Sequence, residues 1–195
     1  LHMTHIEDLV LDGGVKGARE AILALRSLRD MLAGNAKGKT DVTVKWDGAP
    51  AVFAGTNPEN GKFFVASKSI FNVNPKLNYT EDDVDENHSG GLADKLKMAL
   101  KEFPKLNIKG VIQGDIMYTK GDLKKTTIAG KKYITMHPNT IAYAVPADSK
   151  LATTLSKANI GVVWHTTYTG SSLQDMSASF GVDVSRLKTV PSIWS

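Results

Sequence analysis

Residues 44–55 read VKWDGAPAVFAG, an alternating apolar run broken by Lys-Trp-Asp-Gly-Ala-Pro. In a pleated strand, residues i and i+2 share a face, so Lys45 and Asp47 are expected to project together and Trp46 to face the core on the other side. Gly48 and Pro50 then interrupt the ladder, because glycine weakens a strand interior and proline has no amide hydrogen to donate. The reading is a strand that stops in order to present Lys45 beside a turn. Immediately downstream, TNPENGK (56–62) is rich in Asn, Pro and Gly and separates APAVFAG from KFFVASKSI, which predicts a hairpin.

Other segments extend this pattern. DVTVKW (41–46), GVIQGDIMY (110–118), YITMHPNTIAYAV (133–145) and IGVVWHTTY (160–168) have strand periodicity. Gly17–Ala33 and Leu92–Phe103 place apolar residues three and four apart, which predicts two amphipathic helices. The first stops at Gly34; the second has Ser89 as a cap upstream and Pro104 at its end. DGGVKG (12–17) reads as the approach to the first helix, with Gly17 as its cap. The polar stretch from Asn72 to Gly91 reads as a long surface loop. Clustered strands with two helices, not strict alternation, indicate an α+β fold with mainly antiparallel sheets.

At 195 residues, with 42% hydrophobic and 23% charged, the chain can build one sizeable core. No apolar run nears the roughly 20 residues of a membrane span, so no membrane partner is expected. The absence of cysteine excludes disulfides and thiolate metal sites and fits a reducing cytoplasm. The leading LHM reads as a cloning remnant (residues 1–3), with the natural start at Met3 and one domain over 3–195. RLKTVPSIWS ends so abruptly that a C-terminal extension is expected to be missing. The net charge of +4 is mildly basic. Lysines gather in KGDLKK, GKK and KLKMALKEFPKLNIK, which read as a hairpin and a solvated helix face or, alternatively, as phosphate contacts.

Chemistry concentrates on a few positions. A lysine attacks a phosphoanhydride only when its amine is deprotonated and in line with the leaving group. Lys45 has an apolar β context suited to that task, and Asp47 is placed to steady it or to contact a ribose or metal ion. Ser67 and Lys68 close the returning hairpin strand. Asp115 lies inside an apolar strand after Gly114, where an ionised carboxylate needs a cation or several donors. A Mg²⁺ ion or a substrate hydroxyl would supply one; a structural role capping a turn is the alternative. His137 and His165 lack the spacing of zinc ligands and read as satisfied strand histidines, His165 being retained as a phosphate contact.

Lys-x-Asp-Gly, then Ser-Lys about twenty residues on, then Gly-Asp within an apolar strand, resembles motifs I, Ia and III of the covalent nucleotidyltransferases. These are the ATP-dependent DNA and RNA ligases and the messenger-RNA capping enzymes. The strings HIEDL, KWDGAPA, FFVASKSIFN, GVIQGDIMYT, HPNTIAYAVP and GVVWHTTYTG resemble, over nearly the whole chain, a ligase-like family encoded by large tailed phages.

The resemblance implies two mainly antiparallel sheets around a nucleotide cleft with flanking helices. It implies covalent lysyl-AMP formation at Lys45 from ATP with Mg²⁺, then transfer to RNA or DNA in the cytoplasm of an infected host. Asp47 and Gly48 would complete motif I, and Ser67 with Lys68 would contact ribose and phosphates. Asp115 would be the motif III acid and metal ligand, Tyr143 the aromatic that stacks on the base, and Lys188 the remnant of motif V. The motif IV glutamate has no counterpart, since Asn159 and Ile160 precede Gly161. A second implied reading is therefore a non-catalytic ligase-like protein that binds nucleotide, nucleic acid or a protein partner.

Overall fold

The hairpin expected around residues 56–62 is present: β1 (Ala51–Thr56) and β2 (Phe63–Ala66) pair antiparallel, with Phe53 opposite Ala66 and Thr56 opposite Phe63. The computed structural model describes residues 5–35 and 44–195. They form two compact units, one ending at Lys45 and the other starting at Trp46.

In the first unit, α1 runs from Ile6 to Leu32 and is interrupted at Gly14, whose φ of 53° and ψ of −137° are not helical. Gly17 is not a cap. It is buried inside the helix, where a Cβ would collide with the Leu9 carbonyl, so its lack of a side chain lets the two halves of α1 approach.

In the second unit the larger sheet has the order β2-β1-β3-β7-β8, built on β3 (Val111–Thr119), β7 (Ile160–Thr169) and β8 (Ser177–Phe180). β9 (Ile193–Trp194) joins β7 in parallel. One face is closed by α3 (Gly90–Glu102), whose Ala93, Leu96 and Ala99 bury against Val52, Ile112, Ile116 and Val162. A smaller antiparallel sheet, β4 (Lys124–Ile128), β5 (Lys131–Met136) and β6 (Tyr143–Pro146), shares a third apolar cluster with α4 (Lys150–Lys157), where Met136 and Leu155 meet Met117 and Tyr118. The architecture is α+β with two mainly antiparallel sheets, as the strand clustering predicts.

Four expectations are corrected. Val44–Gly48 has no strand hydrogen bonding, so the pleated pairing of Lys45 with Asp47 does not exist; residues 41–43 of that expected strand lie outside the described residues. KFFVASKSI is strand only to Ala66, after which Ser67 starts a 3-10 helix over Lys68–Phe71. YITMHPNTIAYAV is two strands joined by a loop at 137–142. The stretch 72–91 is no open loop. Asn78 is fully buried and bridges to Val65 of β2 through backbone bonds, while its side-chain amide donates to the Val65 carbonyl (2.9 Å). The helix α2 (Glu81–Asn87) follows, closed by a Thr80–Asp83 capping box.

Glu102 fastens the chain's end to α3. Its carboxylate is 1% exposed and accepts hydrogen bonds from Ser192 Oγ (2.6 Å), Lys105 Nζ (2.7 Å) and Asn159 Nδ2 (3.0 Å). Burial pushes its carboxyl up, but those hydrogen bonds and the Lys105 charge outweigh burial and leave it below the usual carboxylate range. A depressed carboxylate stabilises the fold above the unfolded value near 4.5 and loses that contribution as pH falls through the folded value. Glu102→Gln is therefore expected to cost about 2 kcal/mol at neutral pH. Urea unfolding should show the gap to the natural protein closing at acid pH.

Candidate functional site

The site begins with the segment that follows Lys45, whose own side chain is exposed. Trp46 packs its ring on Tyr143 (centroids 5.2 Å apart) and edge-on to Trp194 (5.9 Å). The Asp47 amide donates to the Tyr143 hydroxyl (2.8 Å). The Asp47 carboxylate accepts from Asn139 Nδ2 (2.9 Å) and from the backbone amides of Thr140 (2.9 Å) and Ile141 (3.1 Å). A carboxylate holding two backbone amides and a side-chain amide is a clamp between the 46–50 segment and the 137–142 loop. Tyr143→Phe removes the acceptor for the Asp47 amide and is expected to cost about 1 kcal/mol in chemical denaturation.

Gly48 brings this segment down onto β3. A Cβ there would sit 2.5 Å from Asp115 Cβ, 3.0 Å from Met117 Sδ and 3.2 Å from the Ile116 carbonyl. The Ala49 amide donates to the Ile116 carbonyl and the Ile116 amide to the Pro50 carbonyl, both at 3.0 Å. These bonds continue the β1–β3 contact to the far side of the proline.

The floor is the face of the larger sheet opposite α3. Asp115 lies between Ala51 of β1 and Val163 of β7. Its Oδ1 is 3.7 Å from His165 Nε2, and the side chains are 24% and 27% exposed, so both are open to a ligand. His165 also shares a 2.8 Å hydrogen bond from Nδ1 with Thr166 Oγ1.

Two residues along β3, Gln113 Oε1 accepts from the Tyr168 hydroxyl (2.8 Å), whose own titration burial pushes up. Gln113 and Asp115 share a face by strand alternation, yet their partners Tyr168 and His165 are three residues apart. A regular strand would put those partners on opposite faces. The register explains it. Asp115 pairs with Val163, so alternation puts His165 on the Asp115 face; Gln113 pairs with Thr166 and Gly114 with Trp164, leaving His165 as the extra residue of a β-bulge that brings Tyr168 onto that same face.

One side of this floor is bounded by Phe53 and Tyr168, against which Phe71 packs at 5.1 and 5.8 Å. Phe71 ends the 3-10 helix that carries Lys68, so exposed Lys68 belongs to an element lying over the Asp115 face. Ser67 is the cap of that helix, accepting from the Ser69 amide (3.3 Å) and bonded to the Ser69 hydroxyl (2.8 Å). The other side is bounded by Met117, Trp46 and Tyr143. Tyr143 is half-buried, engaged by Trp46 through its ring and by Asp47 through its hydroxyl.

Lys188 does not join the site. Its amide donates to the Leu106 carbonyl (2.9 Å), and Leu106 packs in the cluster on the α3 side of the sheet. Asn159, at the motif IV position, bonds Glu102 at that same layer. His137 is exposed and lies 3.2 Å from the Thr140 carbonyl through Nε2. Among the described residues no group of three His, Asp or Glu side chains converges to hold a metal. The residues the sequence did not point to are Gln113, Phe71 and the 139–141 loop.

The larger sheet of this α+β protein thus presents a polar face with a half-buried Asp–His pair, bordered by two apolar clusters. Residues 1–195 match the model of a family of unknown function, DUF6267, and the chain belongs to that family. No curated protein and no solved structure matches it. Among the described residues, no helix is long and apolar enough to cross a membrane.

Proposed function

We propose that the chain is an ATP-dependent nucleotidyltransferase of the ligase type, with Lys45 as nucleophile and RNA or DNA as acceptor. The observation that carries this reading is the seating of Lys-Trp-Asp-Gly. The segment directly after Lys45 is clamped by Tyr143 and the 139–141 loop and rests, through Gly48, against Asp115.

In this reading the Lys45 amine attacks the α-phosphorus of ATP. A nitrogen–phosphorus bond forms, the bond to the bridging oxygen breaks, pyrophosphate leaves, and the amine releases a proton to water. The AMP then passes to a terminal 5′-phosphate of a polynucleotide, and the lysine is regenerated. Lys68 suits phosphate contact as a mobile point charge. His165 suits it as a ring N–H donor held beside Asp115. One accessible carboxylate, completed by substrate phosphates and water, fits Mg²⁺, which seldom uses an all-protein cage; Asp115 would hold it. Bound there, the ion would neutralise charge developing on the phosphates.

A binding role without transfer is the second reading. It is favoured by the occupied Asp47 carboxylate and by an asparagine where the motif IV acid belongs. Incubation with α-labelled ATP and Mg²⁺, followed by a denaturing gel, separates the two. Covalent label supports transfer. Nucleotide-dependent thermal stabilisation without label supports binding alone, and neither response removes both.

A further inference from the structure

The lysines of the smaller sheet lie apart from the Asp115 face. Residues 120–157 contain seven lysines against two aspartates, a surplus of five on a chain whose total is +4. The remainder of the chain therefore carries a slight negative charge, and the basic character resides mainly in β4, β5 and α4. Among the described residues, none of these seven lysines lies in ion-pair range of a carboxylate; the lysine pairs present involve Lys95, Lys97 and Lys105.

Three of the seven enclose a groove of about 640 Å³: Lys125 on β4, Lys132 on β5 and Lys157 on α4. The register shows why they converge. Lys125 stands opposite Ile134 and Lys132 opposite Thr127, so strand alternation places Lys125, Thr127, Lys132 and Ile134 on one face. That face also carries Met136, Tyr143 and Val145, which bury against Leu155 of α4. The apolar face thus continues, beyond the end of its core, into a wall of ammonium groups floored by Ile134 and Ala152. Thr127, Thr153 and Ser156 add hydroxyl groups to its lining.

Edge-strand lysines also deter strand-to-strand pairing. That role would need charge on β4 alone, whereas here it extends to the central strand β5 and to α4.

We propose that this groove binds the phosphate backbone of a nucleic-acid strand. Ammonium groups and hydroxyls are the usual partners of phosphate oxygens. Arginine, the common bidentate reader of base edges, is absent from residues 120–157, so binding is expected to be indifferent to sequence. The surface is distinct from the Asp115 face, and the proposal stands whether or not Lys45 takes up AMP.

The test is fluorescence anisotropy with a labelled oligonucleotide of about 20 residues, single-stranded and as a duplex, at several salt concentrations. The natural protein should bind at low salt. The Lys125→Gln, Lys132→Gln, Lys157→Gln triple variant should bind at least tenfold more weakly, with a salt slope smaller by about 2. A triple variant at Lys62, Lys101 and Lys109 makes the same charge change elsewhere and should lose less than about threefold. Each single groove variant should show part of the loss, which guards against misfolding of the triple. Equal losses in the two triples, or no binding of either oligonucleotide by the natural protein, would overturn the proposal. Labelling by ATP is expected to be unchanged in the groove variant, so this result and that of the transferase reading remain separable.

Discussion

Lys45→Ala is expected to take up no covalent label from α-labelled ATP, a fall of at least about 10³-fold relative to the natural protein. The proposed lysyl-AMP needs a nitrogen at that position, and on that mechanism a neighbouring lysine cannot replace one that attacks in line with the pyrophosphate. The substitution should leave stability within about 0.5 kcal/mol, because the side chain is exposed. Lys68→Ala is the informative companion. A lysine that only contacts phosphate should lower the rate of labelling without abolishing it. Mapping the label to a peptide that excludes Lys45, or equal labelling of Lys45→Ala, would remove the proposed nucleophile. The bond itself is a further check: a phosphoramidate is acid-labile and base-stable, unlike a phosphate ester.

Much of the larger sheet was legible because its strands carry strong period-two patterns bounded by turn residues. GVIQGDIMY and IGVVWHTTY became β3 and β7 at nearly the expected bounds. Leu92–Phe103 became α3, stopped at Pro104 as its sequence predicts. What was illegible depends on tertiary register. No local signal announces that His165 is the extra residue of a bulge, and without the bulge the placement of Tyr168 beside Gln113 on the Asp115 face could not be foreseen.

The misread loop has a different cause. Thr-Glu-Asp-Asp at 80–83 is a capping signal, but the surrounding polarity of 72–91 masked it. Likewise His-Pro-Asn at 137–139 is turn chemistry inside an otherwise strand-like run, and that turn supplies the donors that hold Asp47. Lys188 was assigned from a motif expectation alone, with no local pattern to support it, and it belongs to the other layer.

Gly48→Ala tests how tightly chemistry at Lys45 depends on the seating of its segment. The glycine is not required by a left-handed backbone, since its φ lies outside that region; only space is at stake. An alanine methyl would meet Asp115 Cβ at 2.5 Å. That atom is the root of a side chain in a strand hydrogen-bonded on both sides, so it cannot swing aside as the tip of a long side chain would. The 46–50 segment must lift instead, straining the Ala49–Ile116 bond and the amide donors to Asp47. Overpacking of this kind costs about 2 kcal/mol, or roughly 4 to 8 °C in melting temperature for a chain of this size. If Lys45 is the nucleophile as proposed, displacing it by about 1 Å would slow labelling by about 10²-fold, more than the stability loss accounts for. Gly91→Ala is the control. A Cβ there meets nothing within 4 Å, and alanine favours the first turn of α3, so stability should rise slightly and labelling should not change. If Gly48→Ala labels at the natural rate, Lys45 does not draw its position from the clamp, and the observation that carries the transferase reading loses its force.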